Sequence, residues 1–522
     1  MGKTSKDKAT QSELPSKGDK RYLKILVFSM LVVSLLFTRF DDRLFAGADD
    51  NDYFATATSI AYLQFPFFNN EDLSGNNTFG EQQLPYATGF GAGILASPFV
   101  FVGSLVDRLE NAPIETLRTA ENIQWTWSML GFQLSSFFYL IFGAILLFFF
   151  CRLYLPSKES FYATFASILG SGLFAYVSFR PVMSHVYDFF ILTFSLYLVE
   201  KIRRKQDKIW TATFAGLIFS FVFLVRHQNA IIALTLVAYT LWVYRQRQEN
   251  KSMITLLLAF SVSIVFWRIL PMLFVTYDER YVKGAGATLF SRDTNLLEVE
   301  TILSRTFTIF ASPGMGMAFT SSAVFMGLIL YLIGFKKLPK YQKFFAFSIL
   351  INLFLVYIWN SFGSYYGYRY FVFTAIPLFV IPLGRFFLLI RSNLTKSIIC
   401  LSLVFFPLLS LLYWTSSADY AVQIVSLDSA GFEYYDINHQ YHINALREFI
   451  NQPLLQLSNR LNLGIRNVFP SSLVSSMPVH NALFSEMRYL GYVFLSLSTY
   501  LFATSSSFKR WLVRDTEKSL YA

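Results

Sequence analysis

Residues 86–106 read YATGFGAGILASPFVFVGSLV. The stretch is long and apolar enough to cross a bilayer. It also carries Gly89, Gly91 and Gly93, and glycine weakens a helix interior. Whether it crosses sets the side of the membrane on which the rest of the chain lies. If it does not cross, the basic stretches Lys201–Lys208, Arg245–Lys251, Lys336–Lys343, Arg385–Lys396 and Lys509–Lys518 all share the side of the Lys-rich N-terminus. If it crosses, all of them are translocated unless another span is lost. Loops rich in Lys and Arg stay in the cytoplasm. A charge at mid-membrane costs about 2.5–3.5 kcal/mol even on the lenient insertion scale, so these basic loops are not hidden spans. Parity therefore keeps 86–106 on the outer face, lying along it or dipping into it.

The composition points the same way. The chain has 522 residues and is 54% hydrophobic, 18% aromatic and 15% charged, where soluble proteins carry about 25% charged residues. Its apolar residues come in runs of about 20 between short basic stretches, the pattern of membrane-spanning helices. The expected fold class is an all-α polytopic membrane protein with no soluble domain of ordinary size. A net charge of +11 would suit nucleic acid if it were spread evenly. Lys283 is the one lysine outside the stretches assigned to the cytoplasm, so the basic excess is a topology signal. No nucleic-acid partner is expected. Cys151 and Cys400 both fall at cytoplasmic span ends, where a disulfide is not expected.

Twelve spans follow: 24–39, 125–150, 160–179, 184–200, 209–225, 229–244, 253–276, 307–335, 343–361, 370–390, 397–414 and 489–505. Both termini are then cytoplasmic. Residues 1–23 form a basic tail, 24–415 a membrane domain with a first exterior loop at 40–124, 416–488 a small exterior segment, and 489–522 a last span and tail. In the first loop Tyr53, Phe54, Ala57, Ile60, Ala61 and Leu63 make one helical stripe, which predicts an interfacial amphipathic helix.

The outer face collects ionisable residues. Asp49–Asp50–Asn51–Asp52–Tyr53 puts three carboxylates at the head of the first loop. Arg180 ends the third span. Ser184 is placed to cap the fourth, and His185 and Asp188, three apart, share a face. The short fifth and sixth spans meet at Arg226–His227–Gln228–Asn229, which predicts a polar notch below the membrane surface, tolerable only where it lines a cavity. Arg268 lies beside Pro271, and the ninth span ends in an aromatic turn, Ser364–Tyr365–Tyr366–Gly367–Tyr368–Arg369. Each has a plain explanation: arginines snorkel to headgroups, and acidic loops are solvated. Together, carboxylates that can deprotonate a hydroxyl and cations that can hold a departing phosphate suit a transfer reaction on an amphiphilic phosphate. A transporter or flippase of an amphiphilic anion would use the same cationic pocket without chemistry. His439 and His442, three apart, lack further ligands for a metal.

Asp49–Asp50–Asn51–Asp52–Tyr53 resembles the D-[DE]-x-x-[YF] start of the first exterior loop in GT-C fold glycosyltransferases, such as protein O-mannosyltransferases and the aminoarabinose transferases of lipid A. Ala57–Thr58–Ser59–Ile60–Ala61 looks like the helix that follows. Pro85–Tyr86–Ala87–Thr88–Gly89 with Pro98–Phe99 looks like the stretch that closes that loop. Met183–Ser184–His185, Leu224–Val225–Arg226–His227–Gln228–Asn229, Ser312–Pro313–Gly314–Met315–Gly316 and the turn ending in Arg369 also resemble bacterial members. The likeness runs from about 25 to 390 and stops there. It implies inverting transfer of a sugar from a polyprenyl-phosphate donor to a lipid, glycan or protein acceptor, at the outer face of a bacterial inner membrane. Asp49 would be the catalytic base and Asp50 its partner, with Asp52 a solvated helix-start residue. Arg180, His185, Arg226 and Arg369 would hold the donor phosphate, and Asp188, His227 and Tyr365 would contact substrate. The sequence lacks a clear Glu–Lys–Pro–Pro element after the first motif and a DxD in the second loop, so no cofactor is assigned and a divalent metal is left open.

Overall fold

The computed structural model describes residues 17–37, 48–63, 90–110, 126–178, 181–204, 209–269, 316–338, 369–416 and 479–505, with isolated positions between 306 and 353. Every regular element among these residues is a helix. Three helices among them are long and apolar enough to cross a membrane, Gly91–Leu109, Trp127–Arg152 and Asn250–Ile269, and several shorter helices are apolar. Exposed Ile254, Leu258, Val262, Leu401, Phe405 and Phe494 give the bundle a greasy outside, as lipid contact requires.

The first helix, α1, runs Lys17–Phe37, so the end of the expected basic tail is already helical. The cause is Asp19, buried in its first turn, whose Oδ1 accepts from Arg152 Nε at 2.9 Å. Helix α2 is Ala48–Ala61 and α3 is Gly91–Leu109. Helix α4, Trp127–Arg152, is nearly all buried and forms the axis of the bundle. Then come α5, Ser157–Leu169, and α6, Leu173–Ser178, one expected span broken in two at Gly172 (φ 70°). Helix α7 is His185–Arg203, α8 Ile209–Val225, α9 Ala230–Gln246 and α10 Asn250–Ile264, which ends in a π turn at Val265–Ile269. After them are α11, Met317–Thr320, α12, Ser322–Gly334, α13, Arg369–Leu389, α14, Asn393–Ser416, and α15, Val479–Thr504.

The bundle has two chemically different ends. At the basic end α4 finishes at Arg152 and α7 at Arg203; Arg204 Nη2 donates to Leu153 O at 2.7 Å, so these two helices finish side by side. Arg247 donates to Ile202 O, and Lys396 pairs with Glu159. Helix α4 has 26 residues and α7 has 19, so α4 overshoots α7 at the other end by about 10 Å at 1.5 Å per residue. That overshoot leaves a recess whose floor is the start of α7.

Helix α3 lines the recess and does not reach the basic end. It runs antiparallel to the first half of α4: Tyr139 OH donates to Leu95 O at 2.9 Å, and Asp107 Oδ1 accepts from Trp127 N at 2.7 Å. Its glycines are explained by close approach. A Cβ on Gly91 would stand 2.5 Å from Val225 N, at the end of α8, and one on Gly93 would stand 2.6 Å from Tyr53 O on α2. The stripe of α2 also differs from expectation. Tyr53, Phe54, Ala57 and Ala61 are buried against α3 and α4, with Phe54 and Phe132 rings 6.0 Å apart, instead of lying on a bilayer. Leu63 falls past the end of the helix, at φ 59°, and is exposed.

Candidate functional site

The recess floor is built where two short helices turn. Helices α8 and α9 have 17 residues each. Arg226 between them is extended (φ −147°, ψ 114°), and His227–Asn229 form one 3₁₀ turn before α9. The break drops polar side chains into the bundle, and each buried polar group there needs a partner.

Asp188 supplies the focus. It lies one turn into α7 and is 1% exposed. Its Oδ1 accepts from Asn229 Nδ2 at 2.7 Å, and its Oδ2 accepts from Thr374 Oγ1 at 3.0 Å. Arg226 Nη1 stands 3.9 Å from Oδ2 and donates to His185 Nδ1 at 3.0 Å. A guanidinium cannot accept, so His185 is the tautomer with its proton on Nε2. The Tyr176 ring, on α6, meets the His185 ring edge-on at 4.1 Å. One carboxylate thus joins α7, the α8–α9 elbow and α13.

A second cation arrives from α10. The Arg268 guanidinium lies 5.3 Å from the centre of the Phe90 ring, immediately before α3, and it belongs to the π turn. Such turns are frequent at functional sites because they displace a side chain from the helical register. His227 packs its ring 5.2 Å from Phe223.

The backbone of the acidic motif lies at a comparable depth in the bundle. Helix α2 runs parallel to α3: Tyr53 faces Gly93 near the floor, and the Tyr62 ring lies 4.5 Å under Arg108 near the outer end. Asp49 and Asp50 occupy the first turn of α2, about 6 Å deeper than Tyr53 at 1.5 Å per residue. Gly91, packed on Val225, is about 3 Å deeper than Gly93 on the same scale, so the first turn of α2 lies within about 3 Å of that depth. A helix N-terminus favours ionised carboxylates and phosphates alike. At the outer end of α2, burial and then the Asp107 charge raise the Tyr62 phenol above its usual range, so it meets Arg108 as a neutral ring.

Of the residues expected in the site, the structure brings together His185, Asp188 and Arg226, with His227 next to Arg226 in the elbow, while Asp49 and Asp50 are placed by backbone depth alone. Arg369 is the first residue of α13, five before Thr374, which puts its backbone about 7.5 Å along the axis from the Asp188 contact. Arg180, Tyr365, His439 and His442 lie outside the described residues. Two expectations change. Asp188 is 1% exposed and its two oxygens accept from Asn229 and Thr374, so in this structure it braces the elbow and α13. Ser184 does not cap α7: its backbone is already helical (φ −68°, ψ −9°), which turns its Oγ away from the first-turn amides. Asn229, Thr374, Tyr176 and Arg268 were not singled out as site residues by sequence. Asn229 stood within the polar run, Arg268 was open between a packing residue and one lining the cavity, and Thr374 and Tyr176 gave no signal. Among the described residues no three His, Cys, Asp or Glu side chains gather in a metal-binding group. No family model, no curated protein and no solved structure matches the chain.

Proposed function

We propose that this protein is a GT-C-type glycosyltransferase of about twelve spans, with both termini cytoplasmic, that moves a sugar from a polyprenyl-phosphate donor to a lipid, glycan or protein acceptor in the outer half of a bacterial inner membrane. One observation carries the reading: the acid-bearing first turn of α2 stands at the depth of a buried arginine elbow, in a recess walled by apolar helices. Asp49 takes the proton from the acceptor hydroxyl as that oxygen attacks the anomeric carbon, and Asp50 steadies it. The bond from the anomeric carbon to the phosphate oxygen breaks, and the pair of electrons leaves on the polyprenyl phosphate. Arg226, held in plane by His185 and Asp188, receives that charge together with Arg268 and Arg369. Apolar walls keep water low, which strengthens these interactions. Release of polyprenyl phosphate from a panel of polyprenyl-phosphate sugars, in membranes that hold the native acceptor, tests the reading. Wild-type release by Asp49→Asn removes Asp49 from the mechanism.

One observation favours a second reading, a transporter or flippase of an amphiphilic anion. The break between α5 and α6 and the break between α11 and α12 meet: Ala323 N donates to Gly170 O at 3.2 Å and Ser321 Oγ donates to Ser171 O at 2.7 Å. Paired broken helices are a transporter device. Movement of a labelled lipid phosphate across proteoliposomes without release of free polyprenyl phosphate would select this alternative.

A further inference from the structure

At the outer end of the bundle, polar contacts from the last two turns of α3 join that helix to the start of α4. Asp107 is 3% exposed, and its two oxygens face the start of α4. Oδ1 accepts from Trp127 N at 2.7 Å; Oδ2 accepts from Ser128 N at 2.9 Å and from Ser128 Oγ at 2.5 Å. Glu110 Oε2 accepts from Trp127 Nε1 at 3.0 Å. First-turn amides of a helix have no partner within that helix and need one from elsewhere. Thr126 Oγ1 already caps α4 by accepting from Met129 N at 3.3 Å, so α4 does not depend on Asp107 to begin. The added carboxylate does something else: it joins two helices.

We propose that Asp107 is a positioning residue, which clips α3 to the first turn of α4 and thereby sets the depth of the first turn of α2 relative to the Arg226 elbow. The inner contacts of α2 with α3 and α4 are made by Gly93, Tyr53, Phe54 and Phe132. Apolar and glycine surfaces hold helices close but resist axial sliding weakly, whereas the three directional hydrogen bonds to Asp107, together with the single Tyr139–Leu95 bond further along α3, fix a register. From Asp107 to Gly91 is 16 residues of helix, about 24 Å at 1.5 Å per residue. An error at the clip is carried along that length to Gly91 against Val225 and, through Gly93 against Tyr53, to the turn holding Asp49 and Asp50. The functional half of this inference rests on the transferase reading; the geometric half does not.

Spin labels on Asn51→Cys and Gln228→Cys, in the full chain in lipid nanodiscs, read the geometric half. One narrow distance distribution is expected, with Asp107→Ala broadening or shifting it and Asp107→Asn, which still accepts a hydrogen bond, lying between. A distribution unchanged by Asp107→Ala overturns the proposal. Transfer in membranes with the native acceptor reads the functional half. Asp107→Ala should lower kcat about tenfold to a hundredfold, the usual effect of misplacing reacting groups by about 1 Å, with donor KM unchanged and partial rescue by Asp107→Asn. A raised KM with unchanged kcat overturns it. If Asp107→Ala fails to insert, Ser128→Ala, which removes the hydroxyl bonds to Asp107 and Tyr62 but leaves the backbone bonds to Asp107, should show the same shift in smaller degree, and its absence overturns the proposal. A wild-type protein that releases no polyprenyl phosphate defeats the transferase reading and leaves the spin-label result standing.

Discussion

At the basic end, Glu200 is held by Arg203 and Arg204 from the end of its own helix, with Nε and Nη2 of Arg203 at 2.8 and 2.6 Å and Nε of Arg204 at 2.5 Å. At the recess, Asp188 is held by Asn229, Thr374 and Arg226, none of them on its own helix. Arg203 is 39% exposed on its side chain, whereas Arg226 is 8% exposed and Asp188 1%. The same chemistry therefore does two jobs. Near the edge, a buried carboxylate is shared by two arginines that also reach solvent, so the loss of one leaves the other in place. In the recess, a single carboxylate helps set where an arginine points, and its partners come from two other parts of the chain, the elbow at 226–229 and Thr374.

The comparison can be broken in several ways, the largest effect first. Asp49→Asn should reduce transfer by about 10²–10⁴-fold, the usual contribution of a general base, while insertion and thermal unfolding in detergent stay at wild-type values. Asp188→Ala strands a buried arginine, and removing one partner of a buried pair costs about 3–5 kcal/mol; the detergent unfolding midpoint should fall steeply, with Asp188→Asn milder because an amide can still bond Asn229 or Thr374. If Asp188→Ala costs no more than an edge substitution, the distinction between the two regions is wrong. Lys396 and Glu159 form an intermediate case, a buried pair at the basic end with side chains 7% and 8% exposed. Glu159→Leu alone should destabilise more than Glu159→Leu combined with Lys396→Leu, since the double change leaves no buried charge. Arg203→Ala should cost less than Asp188→Ala, because Arg204 still pairs with the buried Glu200; thermal unfolding in detergent compares the two.

Much of the helical architecture was legible because lipid-facing helices leave long apolar runs. Expected spans at 125–150, 184–200, 209–225 and 229–244 meet α4, α7, α8 and α9 within a few residues. The recess was legible too, because two short spans meeting at Arg226–Asn229 cannot place four polar residues in lipid. Long-range pairings were not. The start of α1 at Lys17 depends on Asp19 meeting Arg152, 133 positions away, and polar residues at a span end look the same whether they are solvated or paired. Gly91 and Gly93 read as a weak helix because the backbones they admit, at Val225 and Tyr53, come from elsewhere in the chain. Thr374 gave no signal because one hydroxyl in an apolar helix bonds its own backbone as readily as a distant carboxylate.

The meeting of the two helix breaks has a consequence for synthesis. Ser171 O is satisfied by Ser321 Oγ, a residue 150 positions later. At about 5–20 residues per second, that partner is made roughly 8–30 s after the carbonyl it serves. A bilayer interior offers nothing to replace it, and each unsatisfied backbone group there costs several kcal/mol. The α5–α6 break is thus an unfinished joint during translation, one that must stay wet or sheltered beside the insertion machinery until α12 arrives. A ribosome stalled between the two should leave a cysteine introduced into α6 accessible to water-soluble thiol reagents, and release of the stall should close it.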